Sequence, residues 1–161
     1  MLSDSDIIGM MKSGDIVLQG FKPGNLTPNG YDLTIGEIFL PSLDQKTKEG
    51  DVTIPPATWF LVGTEEVVEL KKGITGQLWI RTSWARKGVI GSFGKIDAGF
   101  RGNLTLSAFN ASNMPLKISV GDRFAQIVFV RMLTPSEKGY DERSGNYQDQ
   151  RGITLDSKKL I

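Results

Sequence analysis

After Gly14 the sequence breaks into short β-prone runs, each closed by residues that turn the chain. Ile16-Val17-Leu18 leads into Lys22-Pro23-Gly24-Asn25, and Thr27-Pro28-Asn29-Gly30 precedes the alternating Tyr31-Asp32-Leu33-Thr34-Ile35. Further runs cover Thr58 to Val62, Glu65 to Leu70, Gln77 to Arg81, Asn103 to Phe109, Leu116 to Val120 and Arg123 to Met132. Gly63, Lys72-Gly73, Gly76, Asn110, Asn113 and Gly121 punctuate them. Many short strands, with nineteen glycines to turn between them, predict an all-β sandwich, barrel or jelly roll. One helix is expected, over residues 4–12. Ser3 is its N-cap, Asp4 and Asp6 sit in its first turn, Ile7, Ile8, Met10 and Met11 form its apolar face, and Gly14 stops it. The polar stretch from Ser42 to Gly50 reads as a solvated surface hairpin. There is no internal repeat, and 161 residues suit one domain, 1–161, with a real core.

Absent residue types narrow the chemistry. With no Cys there is no disulfide, thiolate nucleophile or zinc–sulfur site. With no His there is no Ser-His-Asp triad, and no zinc site of the kind used by the zinc-dependent nucleobase deaminases. Hydrolytic chemistry must then rest on Asp, Glu, Lys, Tyr or a hard cation such as Mg2+ with oxygen ligands. A net charge of +1 argues against a protein that coats nucleic acid. No apolar run approaches the ~20 residues that span a bilayer. Met1-Leu2-Ser3-Asp4 lacks the basic and apolar regions of a signal peptide, so cytoplasmic residence and no membrane partner are expected.

The densest chemistry lies between Arg81 and Gly102. Arg81-Thr82-Ser83-Trp84-Ala85-Arg86 packs two arginines and two hydroxyls around a tight turn, which suits phosphate oxygens. Gly94-Lys95-Ile96-Asp97-Ala98-Gly99-Phe100-Arg101-Gly102 then sets one carboxylate, Asp97, among glycines that allow sharp bends or close approach. A cationic cradle followed by a lone carboxylate suggests an enzyme that holds a polyphosphate and activates a water. From Thr134 onward the chain is looser. The polar, Gly-rich and aromatic run Gly139 to Gly152 is either a disordered tail or a flexible lid that closes over a ligand.

These motifs, in this order, resemble the family that joins trimeric dUTP diphosphatases (dUTPases) and zinc-free dCTP deaminases. The likeness covers almost the whole chain and is nearest to deaminase-like archaeal-type dUTPases. Leu2-Ser3-Asp4 with Asp6-Ile7 looks like the deaminase-type start, and Gly30-Tyr31-Asp32-Leu33 is similar to the first motif. Arg81 to Arg86 is similar to the phosphate-binding turn Arg-Ser-Ser-Leu-Ala-Arg, and Gly94 to Gly102 to the motif of the water-activating aspartate. Gly121-Asp122-Arg123-Phe124-Ala125-Gln126 looks like the fourth motif, and Tyr140 to Gly152 like the deaminase-type lid. The resemblance implies a distorted jelly roll (the dUTPase-like β-clip) with a short N-terminal helix and a flexible C-terminal lid over about 134–161. It also implies a homotrimer with sites shared between subunits, and a deoxynucleoside triphosphate bound with Mg2+. Triphosphate oxygens and waters would hold that ion, so no protein metal ligand is expected.

Within that family the two activities need different groups. Deamination uses a glutamate in a Thr-Leu-Glu or Val-Leu-Glu segment; the matching segment here is Thr105-Leu106-Ser107, and a serine without a neighbouring base is a poor proton shuttle. Hydrolysis of dUTP to dUMP and diphosphate needs a base to aim water at the α-phosphorus, and Asp97 matches that aspartate. The resemblance implies that Arg81, Thr82, Ser83, Arg86 and Gln126 contact phosphate or nucleotide. Phe100 would shape the sugar pocket and crowd a 2′-hydroxyl, and Thr105, Leu106 and Ser107 would lie against the nucleotide. Tyr140 and Gln150 would reach it from the lid. Backbone between Gly94 and Asn110 would read the base. Three departures stand out: Thr82 replaces a Ser, Asn146 falls where the deaminase lid has Lys, and the Gly-Ser-Thr-Gly tail signature of stand-alone dUTPases is missing. Asp32 either orients water or phosphate or braces its turn. Asp122 and Arg123 are either a structural pair or nucleotide contacts. Trp84 is packing, and Trp59 and Trp79 are core or subunit interface. The expected activity is dUTP diphosphatase. The alternatives are a dCTP deaminase, with or without the hydrolase step, and a non-catalytic nucleotide-binding trimer.

Overall fold

The computed structural model describes residues 1–157. Helix α1 (Asp4–Ser13) is followed by β1 (Ile16–Gln19), β2 (Leu26–Thr27), β3 (Gly30–Leu40), β4 (Gln45–Thr47), β5 (Asp51–Ile54), β6 (Thr58–Thr64) and β7 (Val67–Leu70). Next come β8 (Ile74–Ile80), the one-turn helix α2 (Thr82–Ala85), β9 (Val89–Ser92), β10 (Lys95–Ile96) and β11 (Arg101–Gly102). The chain continues through β12 (Thr105–Asn110), β13 (Leu116–Ser119), β14 (Arg123–Arg131) and α3 (Tyr140–Arg143). The all-β architecture read from the sequence is the one observed.

Local chemistry explains the helix. The Ser3 hydroxyl accepts the Asp6 N–H (3.2 Å), and the Asp6 carboxylate accepts the Ser3 N–H (2.9 Å), a reciprocal capping box. Gly14, at φ 79°, ends it in the left-handed region that costs other residues a clash. Ile7 is fully buried, so α1 closes one end of the fold.

One large antiparallel sheet runs in the order β10-β8-β14-β3-β6-β12-β9, with β2 and β4 hydrogen-bonded to β3. A three-stranded sheet, β1-β7-β11, and a pair, β13-β5, complete it. The sheets curl around a core whose largest fully buried side chains include Tyr31, Phe60, Phe124 and Phe129. β14 lies between β8 and β3, pairing Gln126 with both Trp79 and Asp32. Ser42 to Gly50 is a surface hairpin as expected, with β4 returning along the end of β3.

The tryptophans divide. Trp84 is buried, and its indole N–H donates to the Arg123 carbonyl (2.8 Å), so it is packing. Trp59 and Trp79 are 46% and 61% exposed, which removes the core reading for both. The segment after Thr134 is hydrogen-bonded to the body of the fold as far as Thr154; residues 158–161 of the expected lid lie outside the described residues.

Candidate functional site

Asp97 stands just beyond β10, in the short link between strands that the sequence suggested. Ile96 pairs with Gly76 of β8, which aims the next residue outward at the sheet edge. Asp97 lines a cavity of about 360 Å³. The apolar wall comes from Leu78, Ile96, Phe100, Leu104 and Leu106, the rim from Lys95 and Thr105, and the far side from Tyr140, Tyr147, Gln150 and Thr154. Asp97 is the one carboxylate in that lining. Of the residues picked from the sequence, Asp97, Phe100, Thr105, Leu106, Tyr140 and Gln150 meet here. Tyr147, Leu78, Leu104 and Thr154 were missed, since nothing in their local sequence says they face a cavity.

The tail closes this cavity by pairing with the segment after Asp97. Tyr140 donates its backbone N–H to the Ala98 carbonyl (2.8 Å) and packs its ring edge-on to Phe100 (centroids 5.6 Å apart). The Tyr140 hydroxyl accepts the Tyr147 N–H (3.0 Å), folding the tail back on itself. Gln148, Asp149 and Gln150 then run beside residues 99–103. The Gln148 side chain donates to the Gly99 carbonyl (3.1 Å) and accepts the Arg101 N–H (3.0 Å), and Asp149 donates its N–H to the Arg101 carbonyl (2.7 Å) and pairs with the Arg101 guanidinium. Asn103 donates its backbone N–H to the Gln150 carbonyl (3.1 Å). Gln150 lines the cavity, and its buried side chain donates to the Asn103 carbonyl and leaves Oε1 without a partner among the described residues. A buried acceptor without a donor costs about 1–3 kcal/mol, so it favours a ligand that brings an N–H or O–H.

Arg81, Thr82, Ser83 and Arg86 lie elsewhere. Arg81 leaves the far end of β8, five residues beyond Gly76, roughly 16 Å away at the usual strand rise. It caps α2, and its Nε is 2.8 Å from the buried Asp32 carboxylate, with Arg123 3.5 Å away on the same oxygen. Gln126 donates to Asp32 Oδ1 (3.4 Å) and Thr27 Oγ1 (3.1 Å). Asp32 therefore braces charge, and Arg123 pairs with Asp32, not with Asp122, whose carboxylate accepts the Ser119 N–H (3.0 Å). Thr82, Ser83 and Arg86 are on the surface beside this cluster.

Ser107 is outside the cavity lining, and its hydroxyl accepts the Trp59 indole N–H (2.7 Å). Glu66, a carboxylate that might replace the missing glutamate, is fully buried. It accepts bonds from the Tyr31 hydroxyl (3.1 Å), the Thr34 N–H (2.9 Å) and the Thr34 hydroxyl (2.8 Å). Burial raises its pKa above the ordinary value and pushes Tyr31 up to about 12. Glu65 pairs with Lys22 at the surface (2.6 Å).

Among the described residues no three acidic side chains group as a metal site. Asp97 alone suits Mg2+ only as an ion that arrives on phosphate oxygens, since Mg2+ keeps most of its waters and needs few protein ligands. No described helix is long and apolar enough to cross a membrane.

Comparison with known proteins bears on the family and the fold. Residues 41–132 match a family described as dCTP deaminase-like. A dCTP deaminase of Pyrococcus horikoshii is 42% identical over 149 residues, covering 91% of this chain and 94% of its own. A probable deoxyuridine 5′-triphosphate nucleotidohydrolase of Sulfolobus islandicus rod-shaped virus 1 is 36% identical over 157 residues, covering 96% and 97%. Among solved structures, a 2′-deoxycytidine 5′-triphosphate deaminase of Agrobacterium tumefaciens shares the fold, with TM-score 0.69 and 18% identity over 81% of this chain and 47% of that one.

Proposed function

The chain belongs to the family of dCTP deaminases and dUTPases, and from that premise we propose that it hydrolyses dUTP to dUMP and diphosphate. The observation that carries the reading is a cavity with nucleoside-sized apolar walls and one carboxylate, Asp97, at its mouth. A hydrolase needs one base at that place. A deaminase of this family needs a glutamate where this chain has Ser107, and that hydroxyl is engaged by Trp59 outside the cavity.

In this reading the deoxynucleoside lies between Phe100, Leu104 and Leu106, with Phe100 crowding a 2′-hydroxyl. Gln150 Oε1 accepts a donor from the nucleotide, and the Tyr140–Phe100 contact keeps bulk water out. Asp97 takes the proton of a water and aims it at the α-phosphorus, and diphosphate leaves. Mg2+ bound to the triphosphate would neutralise its charge as the leaving group departs. The cationic turn Arg81 to Arg86 is too far from Asp97 of the same chain for both to grip one triphosphate comfortably. The proposal therefore includes a homotrimer in which one subunit's turn completes another subunit's cavity.

A second reading is favoured by the relatives called dCTP deaminase. A paired assay with Mg2+ separates the two: dUTP and dCTP, each followed for diphosphate and ammonia. Diphosphate from dUTP without ammonia from dCTP supports the proposal. Ammonia from dCTP overturns the argument from Ser107, and nucleotide binding without either product moves the chain to the non-catalytic class.

A further inference from the structure

Glu37 is a charged side chain in a place that normally excludes one. It lies within β3, its side chain is 7% exposed, and among the described residues Lys46 of β4 is its ion-pair partner, at 3.6 Å. The pairing of β3 with β6 slips between Ile35 and Glu37, and such a bulge turns a side chain away from its regular direction. Here it turns the carboxylate toward the C-terminal segment, where Oε1 accepts the backbone N–H of Ile153.

Three glycines shape the slot that holds it. A Cβ on Gly36 would come within 2.9 Å of the Glu65 backbone, so the chain can bend there only without a side chain. A Cβ on Gly63, opposite in β6, would lie 2.8 Å from Glu37 Cγ and 2.9 Å from the Ile153 side chain. A Cβ on Gly152 would lie 2.5 Å from Glu37 Oε1, and Gly152 has φ +65°. Sheet and tail both withhold side chains to let this carboxylate meet this amide. The slot is a built feature of two distant parts of the chain.

We propose that Glu37 is the latch of the lid: a positioning residue whose carboxylate holds the C-terminal segment down and thereby sets Gln150 against the cavity. Lys72 holds the start of the tail through Ser136, Glu137 and Glu142, and the other hydrogen bonds from 148–154 to the body of the fold go to residues 99–105, beside the cavity. Gly152 donates to Asn103 Oδ1 (3.3 Å) and Thr154 to Thr105 Oγ1 (3.0 Å). Thr105 opens β12 at the cavity's edge, whereas Glu37 ties the segment to β3, in the middle of the large sheet. It touches no residue of the cavity lining apart from the tail it restrains, and its effect on nucleotide would pass through Gln150 and Thr154. This role rests on the dUTP reading only for its consequence in turnover; the latch itself is a property of the chain.

The test uses the full-length protein and three variants, Glu37→Ala, Glu37→Gln and Gly152→Ala, read by amide hydrogen exchange and by dUTP kinetics. Loss of the charge-assisted bond is expected to raise exchange over residues 150–154 by about tenfold or more in Glu37→Ala. Gly152→Ala should do the same from the tail side, and Glu37→Gln, which keeps an oxygen acceptor, should fall between. Exchange in β3 and β6 should stay as in the parent, and KM for dUTP should rise with little change in kcat. Unchanged protection of 150–154 in both Glu37→Ala and Gly152→Ala would overturn the latch. So would equal loss of protection in β3 and β6, which is the mark of a merely structural residue, or an open tail with an unaltered KM. Should Glu37→Ala fail to fold, Gly152→Ala carries the same decision. No turnover of dUTP by any form, parent included, would overturn the dUTP reading, and the exchange data would still decide the latch.

Discussion

The two ends of β8 present opposite kinds of surface. Around Gly76 the chain offers a cavity lined largely by carbon, with Asp97 at its mouth and a buried amide oxygen still lacking a donor. Around Ile80 it offers charge that is partly satisfied from within, because Arg81 and Arg123 converge on the buried Asp32. In the proposed reading the first end receives a nucleoside; the second holds two guanidinium groups in place. Desolvating Asp32 would be costly without its two arginines, and the arginines in turn are fixed where a flexible side chain would wander. The turn proposed to bind phosphate thus shares Arg81 with a buried ion cluster of the fold. The cavity end differs: Asp97 is exposed, and no side-chain hydrogen bond or ion pair holds it among the described residues.

That contrast can be broken by substitution. Asp97→Asn is expected to lower kcat on dUTP by about 10²–10⁴-fold while dUTP binding, measured by calorimetry, stays close to that of the parent. Loss of affinity with turnover preserved would remove Asp97 from the role of base. Arg81→Ala should behave in the opposite way, lowering unfolding free energy by about 3 kcal/mol in urea titrations because it strips a partner from a buried carboxylate. An unaltered urea midpoint would mean that Arg123 alone suffices for Asp32.

Mixing sharpens the comparison further. Asp97→Asn and Arg86→Ala, each expected to be weak by itself, should regain activity when unfolded together and refolded as mixed assemblies. Some sites would then combine an intact aspartate from one subunit with an intact turn from another. Activity no higher than the sum of the two parents would place both ends of β8 in one self-contained site and end the shared-site reading.

The smallest expected effect concerns the buried pair beneath the charged end. Tyr31 holds its proton more tightly when folded, so its contribution to stability is complete below its ordinary value of 10.0 and is lost as pH climbs toward about 12. Glu66, also raised by burial, favours the folded state when protonated, and that contribution fades as pH rises from below 4.5 through its raised value. Tyr31→Phe should flatten the alkaline fall in thermal midpoint, and Glu66→Gln the change on the acid side. Unchanged pH profiles in both would show that neither group titrates with folding.

Much of the site was legible before the structure because its signals are local. A capping serine with an acid three residues on, or a carboxylate among glycines, is read within a few residues. The same holds for the opposite conclusion about Ser107, which needs only its place after Thr105-Leu106. What stayed hidden depends on register. Tyr147 and Thr154 face the cavity only because the tail pairs with residues 99–105. Asn103, whose side-chain amide donates to the carbonyls of Thr64 (2.9 Å) and Glu66 (3.0 Å), reads in sequence only as the start of a β-prone run.

The sequence by itself determined the kind of fold, the capped helix α1 (though not the one-turn helices α2 and α3), the absence of histidine and cysteine chemistry, and the candidacy of Asp97. Backbone preferences and side-chain chemistry act over a few residues, and those suffice for such conclusions. Only the tertiary structure decided that Arg81 grips Asp32, that Trp59 donates to the Ser107 hydroxyl, and that Glu37 reaches Ile153. Each of these joins residues far apart in the chain, and which partners meet is set by strand order and by a bulge in β3. A one-residue change in register would have sent the same side chains to other neighbours.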